Sequence, residues 1–347
     1  MSCHNSKGKK MVRFIATVCA IVWLVPIQAS IADNLNIYTH RQPTLLEPIL
    51  KAYTKKTGVT FSTVYAPKGL VQRLQAEGDA TPADMVITVD INRVHELSET
   101  GLLASLSSPK IEKQVPAHLR DKNDEWTALS LRARIAAVSI QRVEKSEVLG
   151  LADLVKPAMK GRVCTRVGSH VYNRALLASI IANDGEATAR AWARGLIENL
   201  ARKPQGNDRA QAKAIYSGEC DVALMNTYYY GKMKFNEKNP EQKNWANSLR
   251  LVFLDQNGRG QHVNISAAAI LKASKKKTAA LEFIEWLTSP EAQLMYTEVN
   301  YEYPVNPEVN PSNEVASWGK FKIDEVSLTD IAKNTPLAQM IINETGW

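Results

Sequence analysis

Residues 34–66, NLNIYTHRQPTLLEPILKAYTKKTGVTFSTVYA, carry the strand–helix–strand pattern that decides the fold. Asn34–Tyr38 reads as a short strand. Leu45, Leu46, Ile49, Leu50 and Tyr53 then recur at helical spacing, and Gly58 supplies a stop. Val59–Ala66 returns to strand character. The alternation continues along the chain. Gly69–Glu77 reads as helix and Asp84–Val89 as a buried strand. Leu131–Ile140 and Arg162–Val167 read as strands, followed by one helix with Leu176, Leu177, Ile180 and Ile181 on a face and another with Trp192, Leu196 and Leu200. Val222–Met225 is a buried strand that opens into a loop at Asn226-Thr227. Arg250–Leu254 and Ile265–Leu271 are strands, and Ala279–Leu287 an amphipathic helix. This βαβα order argues for α/β architecture with doubly wound, parallel sheets. A core for so long a chain is large for one sheet, so two α/β lobes are expected.

The first residues address the chain for export. Lys7, Lys9, Lys10 and Arg13 precede an apolar stretch, Phe14–Ile27, and Ser30-Ile31-Ala32 offers small residues for cleavage before Asp33. Residues 1–32 therefore read as a signal peptide, and the mature protein as periplasmic, with no later stretch apolar enough to span a membrane. Removal of four cations and no acids lowers the formal charge from +8 to +4. No basic stripe interleaved with aromatics accompanies that charge, which argues against a nucleic-acid partner. A modest positive balance favours an anionic co-ligand instead. Cys164 and Cys220 remain after cleavage, and an even pair in an exported chain reads as a disulfide.

Tyr228-Tyr229-Tyr230 directly follows the strand Val222–Met225. Three adjacent phenols at the carboxyl end of a strand suit a site where oxygens converge on a hard, highly charged ion; the alternative is an aromatic surface cluster packed into a crevice. A free phenol titrates near 10, so it is a poor ligand for an ordinary divalent ion at neutral pH. A trivalent ion such as Fe(III) stabilises phenolate enough to displace the proton. In open α/β sheets ligands sit beyond the carboxyl ends of strands. Tyr38-Thr39-His40-Arg41, Ser169–Tyr172 and Tyr228-Tyr229 occupy such positions, and Arg132 lies within a strand. Arg41 and Arg132 suit an anion held by charge-assisted hydrogen bonds, or else an ordinary salt bridge each.

The segments Ile37-Tyr-Thr-His-Arg-Gln-Pro43, Leu131-Arg-Ala-Arg134, Ala201-Arg-Lys-Pro-Gln-Gly-Asn-Asp-Arg209, Asn226-Thr-Tyr-Tyr-Tyr-Gly-Lys-Met233, Val263-Asn-Ile-Ser266 and Asn300-Tyr-Glu-Tyr-Pro-Val305 resemble the periplasmic ferric-iron-binding proteins of ABC importers. The likeness covers nearly all of the mature chain, in order. It implies a class II (type II) periplasmic binding protein fold, with hinge strands joining lobe 1 (33–133 plus 258–305) to lobe 2 (134–257 plus 306–347). It implies Fe(III) held by Tyr172, Tyr228 and Tyr229, with carbonate or another synergistic anion on Arg41 and Arg132, and no ligand role for Tyr230. The histidine and glutamate ligands of another branch are expected to be absent, with Val89 at the glutamate position. His40 is expected to line the cleft, His170 to be a loop residue and Asp90 to cap a helix; His262 has no assigned role. The resemblance further implies a monomeric, non-enzymatic carrier that docks on an ABC permease powered by its ATPase. Two other readings compete: a binder of the same fold for an organic or oxyanion cargo such as a polyamine, thiamine or phosphate, and an exported hydrolase. Against the last, the chain has no Gly-x-Ser-x-Gly elbow, His-Glu-x-x-His or phosphate-cradling glycine loop.

Overall fold

A computed structural model describes residues 1–4, 8 and 33–347, so the expected signal peptide lies almost wholly outside the described residues. Residues from 33 onward form one compact unit. Its strands are β1 (Asn34–Thr39), β2 (Thr60–Tyr65), β3 (Met85–Thr88), β4 (Thr127–Ser139), β5 (Val163–Cys164), β6 (Val222–Asn226), β7 (Leu249–Val252) and β8 (Val263–Ile270).

The opening unit forms as its sequence demands. Helix Pro43–Thr57 starts on a proline, whose missing N–H costs nothing in a first turn. It buries Leu46, Ile49, Leu50 and Tyr53 and stops at Gly58, which takes the left-handed conformation (φ 82°) and donates its N–H to Thr54 O. β1 then pairs in parallel with β2 on one side and β3 on the other. Asp90 caps helix Ile91–Ser98 by accepting from the Asn92 N–H at 2.9 Å, as expected.

β4 organises the rest. All of its 13 residues are buried. Up to Ala133 it pairs antiparallel with β8, which in turn pairs antiparallel with β3; from Arg134 onward it pairs antiparallel with β6, and from Ala136 with β7. One strand thus serves two half-sheets, β2-β1-β3-β8-β4 and β7-β4-β6-β5. The sheets are mixed. The parallel pairs expected from βαβα order occur at β1–β2, β1–β3 and β5–β6, whereas the pairs made by β4 and β8 run antiparallel.

Two local expectations change and one is kept. The strand expected at Arg162–Val167 shrinks to Val163–Cys164, because Asn173 Nδ2 takes the Arg166 and Val167 carbonyls (2.8 and 3.2 Å). The two helices expected around Leu176 and Trp192 both form, within Val171–Glu198, and meet at Gly185, where φ 83° and ψ 168° leave the helical region. Thr227 is not in a loop: helix Thr227–Lys234 begins directly after β6 and carries all three tyrosines. Cys164 and Cys220 form a disulfide that ties the end of β5 to the approach to β6. Among the described residues no helix is long and apolar enough to cross a membrane.

Candidate metal centre

Each candidate side chain is placed by a strand end. His40 and Arg41 follow β1, Val89 follows β3, Tyr172 stands in the first turn of the helix after β5, and Tyr228 and Tyr229 in the first turn after β6. On β4, Ser130, Arg132 and Arg134 alternate with Leu131 and Ala133 and so share one face. Residues from all these elements except Ser130 and Arg134 line one cavity of about 260 Å³, together with Arg93, Arg209, Lys232 and Glu302.

The expected tyrosines converge. Tyr172 and Tyr228 hydroxyl oxygens stand 3.0 Å apart. The Tyr229 ring lies 4.4 Å from that of Tyr228, centroid to centroid. The helical first turn is what makes this work: successive residues splay by only about 100° on a helix, against opposite faces on a strand. Close packing fixes both tyrosine-bearing segments. A Cβ on Gly168, four residues before Tyr172, would fall 2.7 Å from the Trp347 indole, and Gly168 N–H donates to Trp347 O at 3.0 Å. A Cβ on Gly231 would meet the Tyr301 ring at 2.6 Å. Tyr230 turns away from its two neighbours' task and packs edge-on against Trp318.

A buried polar network underlies the tyrosines. Asp208, fully buried, accepts from Arg134 Nη1 (2.7 Å), Arg166 Nη1 (3.0 Å) and the Asn226 N–H (2.8 Å). Arg134 Nη2 donates to Asn173 Oδ1 at 2.6 Å. Both guanidinium carbons lie over the Tyr172 ring, at 5.8 and 5.3 Å. Arg209 lies over Tyr229 and Lys232 over Tyr228, each at 5.1 Å.

Arg41 and Arg132 reach the cavity in different ways. Arg41 pairs with buried Glu302 (2.6 Å) and donates to Ser266 Oγ (2.7 Å), so it has the salt bridge weighed from sequence. Arg132 donates to the Ser266 hydroxyl, the Ile265 carbonyl and the Val89 carbonyl. In both, Nε is a buried donor without a partner. Glu302 is the one carboxylate among the lining residues, against Arg41, Arg93, Arg132, Arg209 and Lys232. Such a cavity demands anions.

The electrostatics agree. Burial pushes the Tyr228 phenol well above its ordinary value, helped by Tyr172 and Tyr229, and pushes Tyr229 up to about 12. Burial and the neighbouring Arg41, Arg209 and Arg132 lower Lys232 to about 8, against the pull of Glu302. His40 lines the cavity, with Nδ1 3.2 Å from Thr88 Oγ1; burial and Arg93 hold it neutral, down to about 3. His170 is not merely in a loop: it caps the helix by accepting from the Tyr172 N–H at 3.3 Å, and burial with Arg166 and Arg134 lowers it to about 3. His262 is buried where β4 changes partners, its carbonyl accepting from the Arg134 N–H. Among the described residues no three His, Cys, Asp or Glu side chains could hold a metal together. The phenols are the candidate donors.

Sequence reasoning left Glu302, Asp208, Arg209 and Lys232 without roles. Each lies in or beside a segment carrying the family likeness, and that was the only signal. Their contacts span up to 261 residues of chain.

A ligand cavity between two half-sheets, with strand ends and helix starts turned into it, is the arrangement of a two-lobed binding protein. The chain belongs to the family of bacterial extracellular solute-binding proteins, whose pattern it matches over residues 49–323. It is similar to iron uptake protein A1 of Synechocystis, with 37% identity over 91% of this chain and 88% of the relative. The major ferric iron-binding protein of Neisseria meningitidis serogroup B is 28% identical over 96% of this chain and 98% of its own. Ferric iron-binding protein A of Mannheimia haemolytica, solved in an open conformation, superposes with a TM-score of 0.85 at 44% identity, covering 91% of this chain and 99% of that one. A Trichodesmium protein solved with iron and citrate gives 0.86 at 36% identity, covering 90% and 99%.

Proposed function

We propose that this protein captures Fe(III) in the cavity through the oxygens of Tyr172, Tyr228 and Tyr229, and delivers it to an ABC importer. The observation that carries the reading is the convergence of three phenols from two separate segments in a cavity otherwise rich in cations. A free phenol is a poor ligand for a divalent ion at neutral pH, and burial raises Tyr228 and Tyr229 further, whereas a trivalent ion supplies the field to displace the protons. A relative named for iron uptake and one named for ferric iron binding lend support over most of their length.

Three phenolates leave positions open on an ion that takes about six ligands. The unpartnered Nε donors of Arg41 and Arg132 support an anion there, carbonate or another small oxyanion, as charge-assisted bonds favour. Residues 33–133 with 258–305 form one lobe and 134–257 with 306–347 the other. The change of partners along β4 between Ala133 and Arg134 supports that division, with β4 as a hinge strand. Closure of the lobes over the ion makes the form that docks on the permease, whose ATPase drives release. The carrier acts in the periplasm, after removal of residues 1–32, as a monomer.

The test is to saturate the purified protein with ferric salt and bicarbonate, then desalt it. One iron per chain and a visible tyrosinate-to-iron charge-transfer band are expected. A colourless protein without iron contradicts the proposal.

A further inference from the structure

Tyr301 ends the helix Pro290–Asn300 in the left-handed conformation, with φ 58° and ψ 33°. A bulky side chain rarely adopts it, and does so only where its surroundings hold it there. Here the backbone is pinned on both sides. The Tyr301 N–H donates to Tyr296 O. Glu302, the next residue, pairs with Arg41 and accepts from the Ser130 hydroxyl. Tyr303 then exchanges two backbone hydrogen bonds with Leu131, both 2.8 Å long.

That conformation presents the Tyr301 ring to the helix Thr227–Lys234. Phe235, which ends this helix, stacks on the ring at 5.8 Å between centroids with the planes 7° apart. A Cβ on Gly231 would fall 2.6 Å from the same ring and 3.1 Å from Trp318. Glycine costs stability inside a helix, and this contact explains its presence. Tyr228, Gly231 and Phe235 stand at positions i, i+3 and i+7, so the face that rests on Tyr301 is the face that carries Tyr228. The two half-sheets meet at this contact. The helix follows β6 in one, and the segment from Tyr301 to Tyr303 is bound to β4 where β4 pairs with β8 in the other.

We infer that Tyr301 is a positioning residue for the metal centre. Its ring seats the helix of Tyr228 and Tyr229 against the segment that carries Glu302, and so keeps the phenols in register with Arg41. The inference rests on the iron reading proposed above.

The test is a double-mutant cycle of Gly231→Ala and Tyr301→Asn, with Tyr301→Phe as the conservative variant. Asparagine tolerates the left-handed backbone and removes the ring. Each protein is titrated with ferric ion and bicarbonate through the charge-transfer band, and its iron-free form is unfolded in urea. Gly231→Ala should shift the band and lower ferric affinity by about tenfold, as when other groups that orient metal ligands are disturbed, although alanine favours a helix. Tyr301→Asn should weaken binding similarly, and Tyr301→Phe should regain what it loses. In the double variant the added methyl has room, so the loss should be smaller than the product of the two single losses. Gly231→Ala adds one methyl group and decides alone if Tyr301→Asn does not fold. Unfolding at lower urea with an unchanged band and affinity overturns the inference, as do single losses that simply multiply. A wild type that shows no band refutes the iron reading and this inference with it; a wild type that loads, beside variants that load identically, refutes the role of Tyr301 alone.

Discussion

The hydroxyl oxygens of Tyr172 and Tyr228 stand 3.0 Å apart although 56 residues of chain separate the two side chains. The same interval separates Cys164 from Cys220, each eight residues upstream of its tyrosine. The disulfide therefore ties the end of β5, which leads to the Tyr172 helix, to the start of β6, whose other end carries the helix of Tyr228 and Tyr229. Closing a loop of that length stabilises the fold by about 4 kcal/mol on the chain-entropy view. A Cys164→Ala/Cys220→Ala variant should unfold at lower denaturant by that order, read by chemical denaturation. Ferric affinity should fall as well if the phenols lose their register.

Proton release follows from the burial of the phenols. Tyr228 sits well above the ordinary phenol value and Tyr229 near 12, both chiefly through burial. Each hydroxyl that becomes a ligand gives up its proton, so loading one ferric ion should release about three protons at neutral pH. Affinity then rises with pH and is lost on acidification. Ferric loading followed by calorimetry in buffers of different ionisation heat counts these protons; release near zero contradicts phenolate ligation.

The iron-free protein carries the opposite pH signature. The folded-state value of Tyr229 is raised above its unfolded one, so the neutral phenol contributes stability below about pH 10. That contribution disappears as pH rises through 10 to 12. Alkaline denaturation should be delayed in Tyr229→Phe, which has no proton to lose, and a stability curve identical to wild type over this window would exclude the shift.

Arg41 and Glu302 form a buried pair at 2.6 Å, with Arg41 2% exposed. Burial alone would raise the Glu302 carboxyl, yet Arg41 and Arg132 hold it below the usual carboxylate range. Arg41→Met strands that charge and should cost about 3–5 kcal/mol. Adding Glu302→Gln should recover much of the loss, a coupling read by a double-mutant cycle in urea. Additive losses would show that the two side chains do not depend on one another.

Asp208 has a different task. It accepts from Arg134, Arg166 and the Asn226 N–H beneath the tyrosines. Asp208→Asn leaves buried Arg134 and partly buried Arg166 without their carboxylate and should destabilise by about 3–5 kcal/mol. Because both arginines lie over Tyr172, iron affinity should fall by about ten- to a hundredfold in a variant that still folds, as when other groups that orient metal ligands are removed.

The local elements were legible in the sequence wherever one periodicity ruled. Leu46, Ile49, Leu50 and Tyr53 marked their helix, Gly58 its end and Asp90 the cap of the next. β4 was legible as a long strand, but its change of partners at Arg134 depends on strands 90 to 130 residues away, and no local pattern encodes that. The tyrosine triplet showed which chemistry to look for, yet not its helical setting: Asn226-Thr227 has the composition of a loop, while the helix Thr227–Lys234 starts there and packs Gly231 closely against Tyr301, a contact 70 residues away. Glu302 and Asp208 stayed silent because a buried ion pair leaves no trace in the spacing of either partner.

Titration of wild type, Tyr172→Phe, Tyr228→Phe and Tyr229→Phe with ferric ion and bicarbonate, followed through the visible charge-transfer band, bears most directly on iron capture. Each substitution removes one oxygen and leaves the ring's packing in place. Each should weaken and shift the band and lower affinity by about a hundredfold or more, beyond the loss seen when only a supporting group is removed, while Tyr230→Phe behaves as wild type. Undiminished colour and affinity in the three variants would contradict capture of the ion by these phenols.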